Sequence, residues 1–251
     1  MNQNSDADQI LLARISDMKT SATAGYSCRK TAFLDEHQQA VVNGSIRQND
    51  GYNCRFFGGY EGAVRKRLVI TSDYIECEDE LFEICAVTFT YRKQDNLTHR
   101  DFLGSLMALG IKREAVGDIV VLDAKTVIFV SDKVLTPVLE ITKVGRTGVL
   151  ATEGIPTDFA VKQEFDEISG SVSSLRLDCI VAFACRLSRE KASALIKGAT
   201  VFLNHIEQLS ISKNVLPGDV FSVRGYGKFM LTEEITQTKK GRYFIRINKF
   251  K

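Results

Sequence analysis

The sequence predicts an α+β protein made of three consecutive blocks, over 1–80, 81–168 and 171–251. Three observations predict it. Between Phe82 and Glu153, β-branched runs and capped helical stretches follow one another in the order β-α-β-β-α-β. A Ser/Gly stretch, Ser169 to Ser174, punctuates the chain and reads as a linker. The residues beyond it read as two short helices followed by short strands. Of 251 residues, 44% are hydrophobic, 25% are charged and only three are proline. That balance excludes a disordered chain, a collagen-like repeat and a disulfide-built miniprotein.

The first block is mixed α/β. Ile10, Leu11, Ile15 and Met18 recur at helical spacing and predict a short amphipathic helix. Phe33 to Val42 reads as a second helix, closed by Asn43-Gly44. Gly58-Gly59 serves a turn, and Arg65-Lys66-Arg67 reads as surface charge ahead of the apolar Leu68-Val69-Ile70. Glu76, Glu78, Asp79 and Glu80 form an exposed acidic connector. In the second block Ile84 to Tyr91 is a strand, and Thr98 caps a helix over Asp101–Leu109 that stops at Gly110. Ile119–Leu122 and Thr126–Val130 are strands about the Asp123-Ala124-Lys125 turn. Asp132 caps a helix over Lys133–Ile141, weakened by Pro137, and Thr147–Thr152 is the last strand. The order is that of a central ferredoxin-like domain. One RNA-binding class uses this arrangement, but its base-stacking strand is rich in glycine and aromatics. Thr126-Val127-Ile128-Phe129-Val130 lacks that signature.

Phe159–Ile168 reads as a strand leading out of the block. In the third block Leu175–Cys185 is helical, with Leu177, Ile180, Val181 and Ala184 on one face. Ser188 caps a second helix through Ile196, ended by Gly198. Val201–Leu203, Val220–Arg224, Lys228–Thr232 and Tyr243–Asn248 are strands. Gly225 and Gly227 serve the turn between two of them, and Lys239-Lys240-Gly241-Arg242 is a basic turn.

Net charge divides unevenly along the chain. The total is +2. Residues 171–251 hold 14 Lys+Arg against 6 Asp+Glu, a net of +8, so the first 170 residues carry −6. A basic module on an acidic body is the footprint of a polyanion binder. No stretch approaches the roughly 20 apolar residues of a membrane span, and Met1–Met18 lacks a signal peptide's apolar core. Six cysteines without a C-x-x-C pair read as free thiols in a reducing compartment, so a cytoplasmic location without metal or cofactor is expected.

Arg176-Leu177-Asp178, Ser188-Arg189 with Ala192 and Ile196, Gly198, Val201-x-Leu203-Asn204 and Gly218-Asp219 together resemble the RNA-binding domain named after small-subunit ribosomal protein S-four. The resemblance covers about 174–232, and it departs at His205, where the usual residue after the asparagine is glycine. It implies RNA contacts from Ser188, Arg189, Lys191 and Lys197, around the turn and the second helix. Structured RNA is read by shape and by its phosphates, which suits a curved basic surface. Arg176, Arg186, Asn204, Arg224, Lys228, Lys239, Lys240 and Arg242 complete the expected RNA-binding set.

Across about 31–242 the chain is similar to the bacterial YlmH-type proteins. The residues that carry this are Phe33-Leu34-Asp35, Gly58-Gly59-Tyr60 with Arg65-Lys66, Leu97 to Gly104, Leu109 to Arg113, Val116 to Ile119 and Ser222 to Phe229. The resemblance implies a non-enzymatic protein that binds ribosomal RNA and tRNA. It implies large ribosomal subunits carrying unreleased peptidyl-tRNA, in ribosome-associated quality control. A cell-division label attached to the family is not explained by these residues.

Enzymatic readings fare worse. Pseudouridine synthases place their catalytic aspartate in Gly-Arg-Leu-Asp, followed by Thr-x-Gly; here Arg176-Leu177-Asp178 follows Ser174-Leu175 and precedes Cys179-Ile180-Val181. Gly225-x-Gly227 lies between two strands, unlike a cofactor-binding turn, and no G-x-x-x-x-G-K-[ST] loop occurs. His99 and Asp101 open a helix, which capping explains. No nucleophile–base pair stands out and no small-molecule substrate is implied. An interaction scaffold using the acidic body is compatible with RNA binding.

Overall fold

A computed structural model describes residues 3–25, 27–46, 51–161, 163–237 and 241–251. The chain divides into two compact units, Met1–Val161 and Lys162–Lys251. The class is α+β, with antiparallel sheets.

The first unit opens with α1 (Gln3–Ala24), β1 (Arg29–Lys30), α2 (Glu36–Asn43), β2 (Tyr52–Phe57) and β3 (Arg67–Ser72). The strands form a sheet in the order β1-β3-β2. Helix α1 is longer than the sequence pattern implies. Its buried face is Ile15, Met18 and Ala22, and Ile10 is 73% exposed. Helix α2 starts at Glu36 because Asp35 accepts from the Gln38 amide while the Gln38 side chain accepts from the Asp35 amide. Phe33 and Leu34, expected in that helix, instead precede it and are buried in extended chain.

The Arg65-Lys66-Arg67 triplet is not surface charge. Arg67 is 6% exposed, and its guanidinium donates to the carbonyls of Thr31, Phe82 and Glu83. Arg65 is half-buried. Alternating polarity was no guide here, since every residue of β3 is buried.

A second sheet follows from β4 (Ile84–Thr90), α3 (His99–Ala108), β5 (Val116–Leu122), β6 (Lys125–Ser131), α4 (Leu135–Leu139) and β9 (Leu150–Glu153). Between α4 and β9 lies a two-strand ribbon, β7 (Lys143–Val144) with β8 (Thr147–Gly148). The expected strand over 147–152 is therefore two pieces. The sheet order is β5-β6-β4-β9, and every pair is antiparallel. Its core joins Val87, Phe89, Ile128 and Val130 to Phe102 and Leu106 of α3 and Val138 of α4. Helix α3 has the expected cap but begins two residues earlier than expected, at His99: the Thr98 amide and hydroxyl both donate to Asp101. Helix α4 is shorter than expected, being preceded by a 3-10 turn at Asp132–Val134. Pro137 is its third residue, where the missing amide costs little. Gly59 (φ 100) approaches the second sheet so closely that a β-carbon would meet the Phe129 ring at 2.4 Å.

The second unit is one sheet with a helix pair. It comprises β10 (Phe165–Val172), α5 (Leu177–Ala184), α6 (Arg189–Lys197), β11 (Val201–Leu203), β12 (Ile206–Glu207), β13 (Val220–Val223), β14 (Gly227–Leu231), β15 (Thr236–Gln237) and β16 (Tyr243–Phe250). Six strands run in the order β10-β16-β14-β13-β11-β12, and β15 pairs with β16. Ser169–Ser174 is not the linker its composition suggests. Ser169–Val172 is strand, paired in register with Arg246–Tyr243, because β16 extends to Phe250 and offers a full-length partner. The expected strand over 159–168 correspondingly begins only at Phe165. One face of the sheet presents Phe221, Phe229, Leu231, Ile245 and Ile247 to Leu177, Ile180, Ala192 and Ile196 of the helices.

Candidate nucleic-acid interface

The site begins with Asp178. It lies in the first turn of α5 and is 3% exposed. Arg176, the residue before that helix, donates from Nε to Oδ1 at 3.1 Å and from Nη2 to Oδ2 at 3.3 Å. Arg189, the first residue of α6, donates from Nη2 to Oδ2 at 2.6 Å. The Cys179 amide adds a bond of 3.0 Å. Burial works to raise the Asp178 carboxyl, but hydrogen bonds from Arg189 and Arg176 outweigh it and hold the group below its ordinary value. The two arginine side chains remain 38% and 57% exposed. One buried anion thus fixes two cations whose outer faces look into solvent, and pre-orientation of this kind lowers the entropy cost of binding.

Around this pair the turn between α5 and α6 carries further charge. Arg186 is exposed and left-handed (φ 55), which ends α5 sharply. Ser188 caps α6 by accepting from the Lys191 amide at 3.3 Å. Lys191 and Lys197 are exposed, Lys197 in the last turn of α6, where the helix dipole favours a cation. Lys213 went unnoticed in the sequence. Its carbonyl accepts from the Leu177 amide, and neighbouring Asn214 bridges Arg176, so the 208–216 loop brings it to the start of α5. No periodic signal in that loop marks it.

The other expected residues separate from this cluster. The Asn204 amide is spent inside the fold, donating to Asp219 at 2.8 Å and accepting from the Val220 amide at 2.9 Å. Together with His205 it forms the two-residue loop of a hairpin, Leu203 facing Ile206, with φ values of 48 and 67. The mirror-image turn of such hairpins needs both residues left-handed, so His205 keeps the conformation a glycine would take more cheaply. The Arg224 amide bonds the Thr200 carbonyl beyond the end of α6, and the Arg224 side chain is exposed. Lys228 lies on the sheet face opposite the helices, its Nζ 4.9 Å from the centre of the Phe250 ring. Arg242 donates to the Ser171 carbonyl at 2.9 Å at the β10–β16 edge. Lys239 and Lys240 lie outside the described residues.

Among the described residues no group of three or more His, Cys, Asp or Glu could hold a metal ion. No helix there is long and apolar enough to cross a membrane. All six cysteines are free thiols, and burial pushes Cys185 up to about 11.

A family model described as "Putative RNA-binding domain in YlmH" matches residues 77–157. A solved structure, the cell division protein YlmH from Streptococcus pneumoniae, is 25% identical with a TM-score of 0.51, covering 59% of this chain and 92% of that one. Over 229 residues the chain is 33% identical to ribosome-associated protein quality control protein P2 of Bacillus subtilis (strain 168), covering 90% of this chain and 89% of that protein. The chain belongs to the YlmH family. The YlmH match at 77–157 lies wholly in the first unit, whereas the Asp178 cluster lies in the second.

Proposed function

We propose that this YlmH-family chain is a non-enzymatic RNA-binding protein of ribosome-associated quality control. It contacts ribosomal RNA and tRNA on large ribosomal subunits that carry stalled peptidyl-tRNA. The observation that carries the reading is Asp178 holding Arg176 and Arg189 at the exposed start of a helix pair, beside Arg186, Lys191 and Lys197. Such a surface neutralises phosphates without reading bases, which suits folded RNA. The name of the Bacillus subtilis relative supports the quality-control setting.

The same reading takes residues 171–251 as an S-four-like RNA-binding domain, 81–168 as a ferredoxin-like domain and 1–80 as an N-terminal subdomain. The strand order β5-β6-β4-β9 supports the second of these, since counting its strands along the chain gives 2-3-1-4. The geometry of Asp178 argues against an RNA-modifying enzyme. A carboxylate that attacks or deprotonates a base must reach it, and this side chain is 4% exposed with both oxygens bonded to arginine. The working location is the cytoplasm, with no cofactor, membrane or small-molecule substrate.

Sucrose-gradient fractionation of cells with stalled translation tests the proposal. The protein is expected with free large subunits and their peptidyl-tRNA. Its confinement to the soluble top fractions would contradict the ribosomal role.

A further inference from the structure

A second concentration of cations lies in the first unit, against the sign of that unit's total. Residues 1–161 carry 18 basic and 22 acidic side chains. Yet a cavity of about 440 Å³ is lined by Arg14, Arg65, Lys112 and Arg113, with only Asp35 and Glu114 as anions. None of the four cations has an ion-pair partner among the described residues. Asp35 is already committed to capping α2.

The floor of the cavity is built, not incidental. Arg65 donates from Nε to the Val116 carbonyl at 3.0 Å and from Nη2 to the Phe33 carbonyl at 3.0 Å. Arg113 donates from Nη1 to the same Val116 carbonyl at 2.7 Å and to Gly117 at 3.1 Å. Two guanidiniums therefore converge on one oxygen while half-buried. The anion between their elements, Asp118, spends its oxygens on the Tyr60 hydroxyl and the Val64 and Arg65 amides. Burial lowers the pKa of Arg113, and the charge of Arg65 lowers it further. Arg113 engages only Nη1, which leaves Nε and Nη2 of its fork without a partner among the described residues. An anion in the cavity relieves the repulsion and takes up those donors.

We infer that this groove binds the phosphodiester backbone of RNA, as a second contact on the first unit; the inference rests on the RNA-binding reading above. A polymer fits better than a free anion. Arg14 and Lys112 stand exposed on the rim, and a second cavity of about 450 Å³ shares both and continues the cationic line to Lys133. A continuous line of cations along a groove suits a chain of phosphates, whereas a single free anion would use only part of it.

The test uses the full chain, bulk transfer RNA as probe, and binding measured between about 50 and 200 mM salt. Replacing Arg14→Glu with Lys112→Glu is expected to weaken binding about tenfold or more at the lower salt and to flatten the slope of log K against log salt by about 1.4 to 1.8. Arg14→Lys with Lys112→Arg is expected to bind as the parent does. Arg14→Gln with Lys112→Gln replaces the reversal if melting shows that the reversal unfolds. A folded reversal variant with unchanged affinity, beside a Lys191→Ala, Lys197→Ala variant that loses it, overturns the groove and leaves the RNA reading standing. Unchanged affinity in both overturns the groove and the helix-pair surface together, and a parent chain that binds no RNA at the lower salt overturns the RNA reading itself. Unchanged RNA affinity with loss of thermal protection by inorganic phosphate overturns the inference and reassigns the cavity to a small anion.

Discussion

Asp178 and Asp118 are both nearly buried carboxylates, at 3% and 8% exposure, and both organise arginines. They do it in opposite ways. Asp178 bonds the guanidiniums themselves, so Arg176 and Arg189 are held as partly neutralised, outward-facing arms. Asp118 bonds a hydroxyl and two backbone amides, among them that of Arg65, and leaves the guanidiniums to carbonyls. In the first case the cation is positioned by charge; in the second it is positioned by hydrogen bonds, and Asp118 and Asp35 act on its charge only from a distance, without an ion pair. A buried anion therefore does not by itself say how much positive charge a surface keeps.

Variants sharpen the difference, and removal of Asp178 is the largest. Asp178→Ala leaves two arginines without their shared acceptor and a helix start without its carboxylate. A loss on the order of 2 kcal/mol is expected, discounted because both arginines are partly exposed. Chemical denaturation reads it, and RNA affinity falls with it.

Acid provides the next test. The folded-state pKa of Asp178 is depressed, so its stabilisation is present above the ordinary carboxylate value of about 3.9 and is lost as pH falls through the lower folded value. The stability gap between the parent and Asp178→Asn is expected to be wide at pH 6 and to narrow towards pH 3. A gap independent of pH would show that the charge of Asp178 does not contribute.

The smallest expected effects come from the left-handed positions. His205→Gly relieves one residue of the hairpin turn and is expected to stabilise by about 1 kcal/mol or less. Arg186→Gly acts on the same principle at the end of α5 and removes a charge as well. It is expected to hold or raise the denaturation midpoint while weakening RNA binding slightly. A lower midpoint would mean that the Arg186 side chain supports the turn.

The same comparison explains what could be read from the sequence. The Asp178 cluster was legible because its parts are close along the chain: Arg176, Asp178, Ser188, Arg189 and Lys191 fall at the starts of two short helices, the second capped by Ser188. Lys213 escaped because a loop without periodicity carries it back to α5. The Asp118 region was opaque, since it joins two segments, Tyr60 to Arg65 and Arg113 to Asp118, that only the fold brings together: Asp118 lies 58 residues from Tyr60 and 53 from Arg65. Nothing in Arg65-Lys66-Arg67 distinguishes a buried arginine from a solvated one until β3 is seen to be covered on both faces. Fold boundaries failed for a related reason. Ser169–Val172 has linker composition but is strand because β16 pairs with it, a partner some seventy residues away. Where capping decided an element, as at Asp35, Thr98 and Ser188, local chemistry was sufficient once the cap was placed correctly.

The most direct measurement is the salt dependence of RNA binding by the full chain and by Lys191→Ala, Lys197→Ala. Both lysines are exposed on α6, and neither has an ion-pair partner among the described residues. The double variant is expected to keep the parent's denaturation midpoint within about 0.5 kcal/mol. Its slope of log K against log salt is expected to flatten by about 1.4 to 1.8, with weaker affinity for every RNA tested. An unchanged slope and affinity in the folded variant would contradict the claim that the helix pair of the second unit is the RNA-binding surface.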